Sequence, residues 1–307
     1  MKISYTGGIV AAASKRVAKP FLQVGAISTI RRIVITYQQA GVFPIVIITG
    51  NDNEEIRRHL SGYGAIFLKN PQDEDPQLFE SVRIGLSFLK EKCERILFTP
   101  VNVPMFTPCT LKTLMKSTGS ITIPTFEGRG GHPVMIHSRV VEDILQYEGE
   151  GGLKQALRRC KDCCRIPVED SGIHISIHDE EGLEKRLKAH NLSLLHPSVQ
   201  LQLEKEMPFF HTRLKLLLFL IHETHNMRLS CTYMGISYSK SWEMVKELER
   251  NLGFSVVERK RGGLDGGSTI LTPRGTEFLM AYQRFEEDIR RFTQDSFQNQ
   301  FISTKIL

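Results

Sequence analysis

Hydrophobic and polar positions change their period along this chain. Across residues 1–190, short unbroken apolar runs alternate with stretches whose apolar residues recur three and four apart. Ile3 to Val10, Phe43 to Thr49, Ala65 to Leu68 and Arg95 to Thr99 are runs of the first kind. Phe43-Pro-Ile-Val-Ile-Ile-Thr, closed by Gly50, is apolar on both faces, as a parallel strand covered by helices on both sides requires. Ser28 to Ala40, Glu54 to Ser61, Leu78 to Lys92 and Pro108 to Lys116 have helical spacing; Phe79, Val82, Leu86 and Leu89 share one face. This alternation predicts an α/β domain over residues 1–190 with an open, mostly parallel sheet. Ligands of such sheets sit beyond the carboxyl ends of the strands.

The period breaks at 191–208. His196-Pro197 and Met207-Pro208 bracket a polar stretch that reads as a linker. From 209 to 307 helical spacing dominates. A helix over Phe209 to Glu223 places Leu214, Leu217, Leu218 and Ile221 in a core, and a short helix spans Cys231 to Gly235. Ser237 or Ser239 caps the next helix, on which Trp242, Val245, Leu248 and Leu252 share the inner face. Strands at Val256-Val257 and Ile270-Leu271 flank a loop carrying Gly262, Gly263, Gly266 and Gly267, and a last helix runs from Arg274 to about Phe297. The second domain is therefore predicted to be α-rich, a helix-turn-helix with a β-hairpin wing.

That arrangement points to DNA as a partner. Ser237, Tyr238, Ser239 and Lys240 occupy the first turn of the helix that enters the major groove in helix-turn-helix proteins. Arg259, Lys260 and Arg261 stand at the entry to the glycine-rich loop, where cations reach backbone phosphates.

Composition adds bounds. The 307 residues are long for one core, and 41% hydrophobic with 24% charged is ordinary for a globular protein. The net charge of +6 is shared about evenly between the two regions, so only local placement argues for nucleic acid. No apolar run reaches the roughly 18–20 residues of a membrane helix, and the N-terminus lacks an export signal, so a cytoplasmic protein is expected. The six cysteines are then expected as reduced thiols; Cys160 and Cys163 form a C-x-x-C, but no second ligand pair completes a metal site.

The candidate chemistry of the first domain begins after its first strand. Ala12, Ser14, Arg16 and Lys19 lie in a loop of small residues and cations, which lets backbone N–H groups approach a phosphate and neutralises it. This loop resembles the signature of the nucleotidyltransferases that activate sugars and molybdopterin. Later segments are similar to the MobA/MocA-like molybdopterin branch: Lys69-Asn70-Pro71, Ser81-Val82-Arg83-Ile84-Gly85-Leu86, Asn102-Val103-Pro104, Gly131-His132-Pro133-Val134 and Gly149-Glu150-Gly151-Gly152. The resemblance spans residues 3–187 and implies a nucleotide-diphospho-sugar transferase-like fold. It also implies a nucleotide or molybdopterin-type ligand held by Ala12, Ser14, Arg16, Lys19, Asn70, Ser81 and His132, with Mg²⁺ if transfer is active.

The departures bear on that chemistry. Ala12 replaces the family's first loop glycine and Val17-Ala18 its Met-Gly. Asn102 stands at the metal-holding aspartate, and His178 takes the place of a second acidic ligand. Mg²⁺ binds through carboxylate oxygens and substrate phosphates, so these changes weaken a metal site, and no catalytic residue is assigned.

The second domain, over residues 212–288, resembles the DNA-binding domain of ModE-type regulators. The shared pieces are Ser237-Tyr238 with Trp242, Val257-Glu258-Arg259, the double-glycine wing, and Leu271-Thr272-Pro273-Arg274-Gly275. That resemblance implies a homodimer through the last helix, with its Phe278, Leu279, Tyr282, Phe285 and Ile289. Together the two regions lead us to expect a DNA-binding regulator of molybdenum or molybdopterin metabolism with a degenerate transferase domain. The alternative is an active cytidylyl- or guanylyltransferase joined to a DNA-binding domain.

Overall fold

The unbroken apolar runs become strands and the 3.6-period stretches become helices. The computed structural model of the chain describes residues 5–13, 19–71, 77–178, 180–260 and 268–304. It divides into two units, Met1–Leu195 and His196–Leu307.

The first unit runs β1 (Thr6–Ala11), β2 (Gln23–Val24), β3 (Ile27–Ser28), α1 (Thr29–Gln39), β4 (Ile45–Thr49), α2 (Asn53–His59), β5 (Ile66–Lys69), α3 (Leu78–Leu89), β6 (Arg95–Pro100) and α4 (Pro108–Met115). It continues with β7 (Ile121–Phe126), β8 (Arg129–Gly130), β9 (Val134–His137), α5 (Val141–Leu145), α6 (Gly152–Arg159), β10 (Cys163–Pro167) and α7 (Glu180–Ser193). The main sheet is ordered β10-β7-β9-β6-β1-β4-β5, with β8 paired to β7. β1 pairs parallel with both β4 and β6, β4 with β5, and β7 with β10. Only β8 and β9 run antiparallel to their neighbours. The architecture is the open, mostly parallel α/β sheet that the periodicity predicts.

The helix predicted over Ser28 to Ala40 forms with those two residues as its caps: Ser28 Oγ accepts from the Arg31 N–H. Thr107 caps α4 in the same way, with Pro108 inside the first turn, where its missing N–H costs nothing. Ile33, Val34 and Tyr37 of α1 pack, fully buried, with Val10, Ile47 and Leu97. Arg32, also on α1, is 1% exposed. Its guanidinium donates to Val24 O (2.5 Å) and Asn191 Oδ1 (2.8 Å) and meets His190 Nδ1 (2.9 Å), while His190 Nε2 meets Phe106 O (3.0 Å). A cation and a histidine thus tie α1, α7 and the segment after β6 together.

The second unit contains β11 (Leu203–Glu204), β12 (Pro208–Phe210), α8 (Thr212–Thr224), α9 (Met227–Met234), α10 (Tyr238–Leu252), β13 (Val257–Lys260), β14 (Ser268–Leu271) and α11 (Pro273–Phe297). Within the stretch 191–208, expected as a linker, α7 runs to Ser193, residues 195–202 form no regular element, the units divide after Leu195, and β11 pairs antiparallel with β12. Phe210 packs just beyond it. Its buried ring meets Phe278 at 4.9 Å and Tyr282 at 4.6 Å, and the Tyr282 hydroxyl donates to Leu201 O (2.7 Å). These contacts draw the preceding residues onto α11.

Every residue of α8 from Leu214 to Ile221 is buried, not one stripe alone. α9, α10, α11 and β14 all pack against it, so a helix with little amphipathicity is the correct one for this place. Lys215 is buried among them and pairs with Glu286 Oε2 at 2.6 Å. Among the described residues, no helix is long and apolar enough to cross a membrane.

Candidate functional site

The parallel strands bring the carboxyl ends of β1, β4, β5 and β6 to one edge of the first unit. Ala12 and Ala13 continue β1 into this edge, 4% and 6% exposed. The Ala12 N–H donates to Ile48 O and the Val101 N–H to Ala11 O, stitching β1 to its neighbours beyond the strand ends. Gly50 is required here: a Cβ at that position would stand 2.7 Å from Ala13 O. The exit of β4 therefore lies directly against the exit of β1.

The expected phosphate loop leaves from Ala13. Ser14 and Arg16 lie outside the described residues. Lys19, at the far end, is exposed. Its carbonyl accepts from the Thr29 hydroxyl (2.6 Å), so the loop returns onto the first turn of α1. Both described ends of the loop are fixed by backbone hydrogen bonds, and one cation faces solvent.

Asn70 and Ser81, expected as ligand contacts, are placed differently. They are 0% and 2% exposed, and Asn70 Nδ2 donates to Ser81 Oγ (3.2 Å). The Asn70 N–H donates to Thr49 O (2.8 Å). The pair braces the ends of β4 and β5 against α3 and offers no exposed surface to a ligand. A buried amide and hydroxyl satisfy each other where no water reaches them.

His132 precedes a cis proline and sets its ring edge-on to Phe98, centroids 5.7 Å apart. Burial pushes its pKa down to about 4, against the pull of the Phe98 carbonyl, so the ring is neutral at pH 7. Its Nδ1 is shielded from solvent with no hydrogen-bond partner among the described residues. Asn102, just past β6, also carries a shielded and unpartnered Oδ1, while its carbonyl accepts from the Ile177 N–H (2.9 Å). His178 is exposed. A divalent magnesium ion needs anionic oxygens, and the described residues of this edge supply a neutral amide and an exposed imidazole. No three His, Cys, Asp or Glu side chains converge as a metal cluster among the described residues. Among the described residues the donor set does not fit Mg²⁺, and no chemical step is routed through one. The cysteines are free; burial pushes the Cys160 and Cys163 thiols up, away from the range of reactive thiolates.

In the second unit Ser237, and not Ser239, caps α10: its Oγ accepts from the Lys240 N–H (3.2 Å). Tyr238, Ser239 and Lys240 are exposed in the first turn, and Lys240 Nζ reaches Glu243 at 3.3 Å. Arg259 is exposed, and its guanidinium lies over the Trp242 ring, 3.7 Å from the centroid, which joins β13 to α10. Trp242 is half-buried, on a helix whose Val245 and Leu248 are buried. Lys260 is exposed, 4.0 Å from Glu258, and Arg261 lies outside the described residues.

Sequence reasoning missed Arg228. Its guanidinium lies 5.2 Å from the Tyr238 ring, and that ring meets Trp242 edge-on at 6.2 Å. Arg228, Tyr238, Trp242 and Arg259 form one continuous array across α9, α10 and β13. The overlooked signal is Asn226, which caps α9 by accepting from the Leu229 N–H and starts that helix a full turn before Cys231.

Residues 10–163 match the family described as the MobA-like NTP transferase domain. A nucleotidyl transferase from Methanothermobacter thermautotroptrophicus is 19% identical in structure-based alignment, with a TM-score of 0.52 covering 62% of this chain and 99% of that one. Rv0371c from Mycobacterium tuberculosis is 18% identical, with a TM-score of 0.50 over 61% of this chain and 98% of that protein. At these identities the likeness concerns the fold alone. The molybdenum-pterin-binding protein MopB of Rhodobacter capsulatus is 31% identical over 75 residues, 24% of this chain. The chain thereby covers 28% of that relative's length.

Proposed function

The chain belongs to the MobA-like NTP transferase domain family, and from that premise we propose that it is a DNA-binding regulator of molybdenum or molybdopterin metabolism. Its family domain binds a nucleotide or pterin ligand at the edge formed by β1, β4 and β6. Its second unit is a winged helix that grips a duplex, as a homodimer joined through α11.

One observation carries this proposal: the Arg228–Tyr238–Trp242–Arg259 array, which presents cations and polar groups beside the exposed first turn of α10. The order α8-α9-α10 followed by the β13–β14 hairpin supports the reading of a helix-turn-helix with a wing. In this reading Ser239 and Lys240 meet base edges, and Lys260 and Arg228 meet phosphates. Along α11, Phe285 and Phe292 are 47% and 71% exposed, one heptad apart, which suits a helix that packs on a second copy. The poor metal-donor set supports ligand binding without turnover, and the MopB match agrees with a pterin-related ligand.

Fluorescence anisotropy with duplex fragments from the chain's own upstream region tests the proposal. Sub-micromolar binding is expected at low salt, and Lys260→Ala should flatten the log–log salt dependence by about 0.9. Absence of salt-dependent binding to any duplex would sink it.

Family membership itself favours a second reading, an NTP transferase that acts on a phosphorylated pterin. Release of pyrophosphate from CTP or GTP in the presence of molybdopterin and Mg²⁺ would establish that activity.

A further inference from the structure

A groove of about 260 Å³ lies at the outer end of β7, lined in part by Phe126, Arg129, Ser171, His174, Lys185 and Arg186. None of Ala12, Lys19, Asn70, Ser81, Asn102 and His132 lines it. Nothing in the phosphate-loop edge or in the second unit accounts for its chemistry.

Its walls are held firmly. Phe126 and Arg129 pair across the β7–β8 hairpin, whose turn residues Glu127 (φ 50) and Gly128 (φ 75) both take left-handed backbone. A glutamate adopts that conformation only under strain, and this one stands on the groove. The facing segment, Ser171 to Ile175, is anchored by buried Asp170. One carboxylate oxygen accepts from the Gly172 N–H (2.9 Å), and the other from the Thr107 N–H (2.8 Å) and the Thr110 hydroxyl (2.6 Å). Gly131 lets the two walls meet, since a Cβ there would stand 2.6 Å from Ile173 O. His174 Nε2 donates to Arg129 O (3.0 Å) and closes the corner. α7 supplies the third wall with Lys185 and Arg186.

The lining is chemically uneven. Phe126 and His174 present ring surfaces, edge to face at 6.4 Å, beside buried Ile175. Arg129 and Arg186 are exposed and form no ion pair among the described residues; Lys185 pairs with Glu181 one turn away. Ser171 Oγ is shielded from solvent and has no partner among the described residues. Among the described residues this shielded hydroxyl has no partner, and the two guanidinium groups face solvent beside ring surface, a lining that suits an anionic, ring-bearing ligand.

We propose that this groove binds a small aromatic monophosphate. The ring lies against Phe126, His174 and Ile175, and the phosphate meets Arg129, Arg186 and Lys185, for which the planar guanidinium forks are well shaped. Ser171 takes a polar ring substituent. Glu127 limits the total negative charge tolerated, which selects a single phosphate over a polyphosphate. The proposal depends neither on DNA binding nor on what occupies the phosphate-loop edge.

Titration of the full chain with phenyl phosphate, followed by calorimetry and ligand-observed NMR, tests this. Phenyl phosphate is expected to bind at least tenfold more tightly than inorganic phosphate. The double variant Arg129→Gln/Arg186→Gln should weaken it at least tenfold with an unchanged thermal midpoint, because neither side chain is part of the packing. Phe126→Leu should reduce the preference over inorganic phosphate. The proposal is overturned if phenyl phosphate fails to bind at millimolar concentration or binds no better than inorganic phosphate. It is equally overturned if the double variant binds as the wild type does, or if Lys19→Gln abolishes binding while the double variant does not.

Discussion

Arg259 lies flat over the indole of Trp242, 3.7 Å from the ring centroid. This exposed cation joins β13 to α10. Trp242 is the chain's one tryptophan, so its emission reports on the surroundings of this indole, Arg259 and Tyr238 included. Arg259→Ala should shift that emission to the red, cost about 1 kcal/mol of stability, and weaken DNA binding by more than the loss of one phosphate contact. An unchanged emission spectrum would show that the stacking does not persist in solution.

The buried Lys215–Glu286 pair, 2.6 Å apart, supports the core of the second unit. Burial pulls the Lys215 pKa down while Glu286 pulls it up. Removing Lys215 leaves Glu286 with the longer pair to Arg290, at 3.9 Å, in place of a close buried partner. Lys215→Met should destabilise the protein by about 3–5 kcal/mol, whereas Lys215→Met combined with Glu286→Leu should recover much of the loss. Urea unfolding of the two variants checks this; equal losses in both would mean that packing, not charge, decides.

His190 gives the first unit a pH dependence. Burial is the main cause holding its pKa at about 4, below the ordinary 6.5. At pH values under 6.5 the unfolded chain takes a proton that the folded chain refuses. The contribution is therefore complete above pH 6.5 and is lost as pH falls toward 4, by about 1.4 kcal/mol per pH unit and about 3 kcal/mol in all. His132 acts in the same sense. Unfolding free energy measured from pH 8 to pH 4 should fall steeply below 6.5, and His190→Gln should flatten the slope while lowering the plateau.

Asn102 and His178 set the metal response. Stabilisation by CTP or GTP should be insensitive to EDTA in the wild type, because the described residues place no carboxylate there to hold the ion. Asn102→Asp with His178→Asp should introduce Mn²⁺ binding visible by electron paramagnetic resonance. Tight Mn²⁺ binding by the wild type would contradict this assignment of the donor set.

Much of the fold is legible in the residues themselves. Unbroken apolar runs such as Ile45 to Thr49 form parallel strands because such runs leave no face for water, and α1 begins and ends at the caps, Ser28 and Ala40, that its sequence marks. Local chemistry decides those features, and a window of ten residues contains it. The candidate site was only half legible. Ala12, Lys19 and Asn102 stand at the predicted edge, yet Asn70 and Ser81 turn toward each other, since pairing across eleven positions depends on how β5 meets α3.

The sequence by itself therefore determined the alternation of elements, the caps, and the residue types gathered at the strand ends. Tertiary structure alone decided that Arg259 stacks on Trp242, that Arg32 meets His190 across 158 positions, and that Ser171, Arg129 and Arg186 share one groove. Hydrophobic period and capping act within a turn or a strand, whereas burial and charge pairing depend on neighbours that only the closed chain brings together.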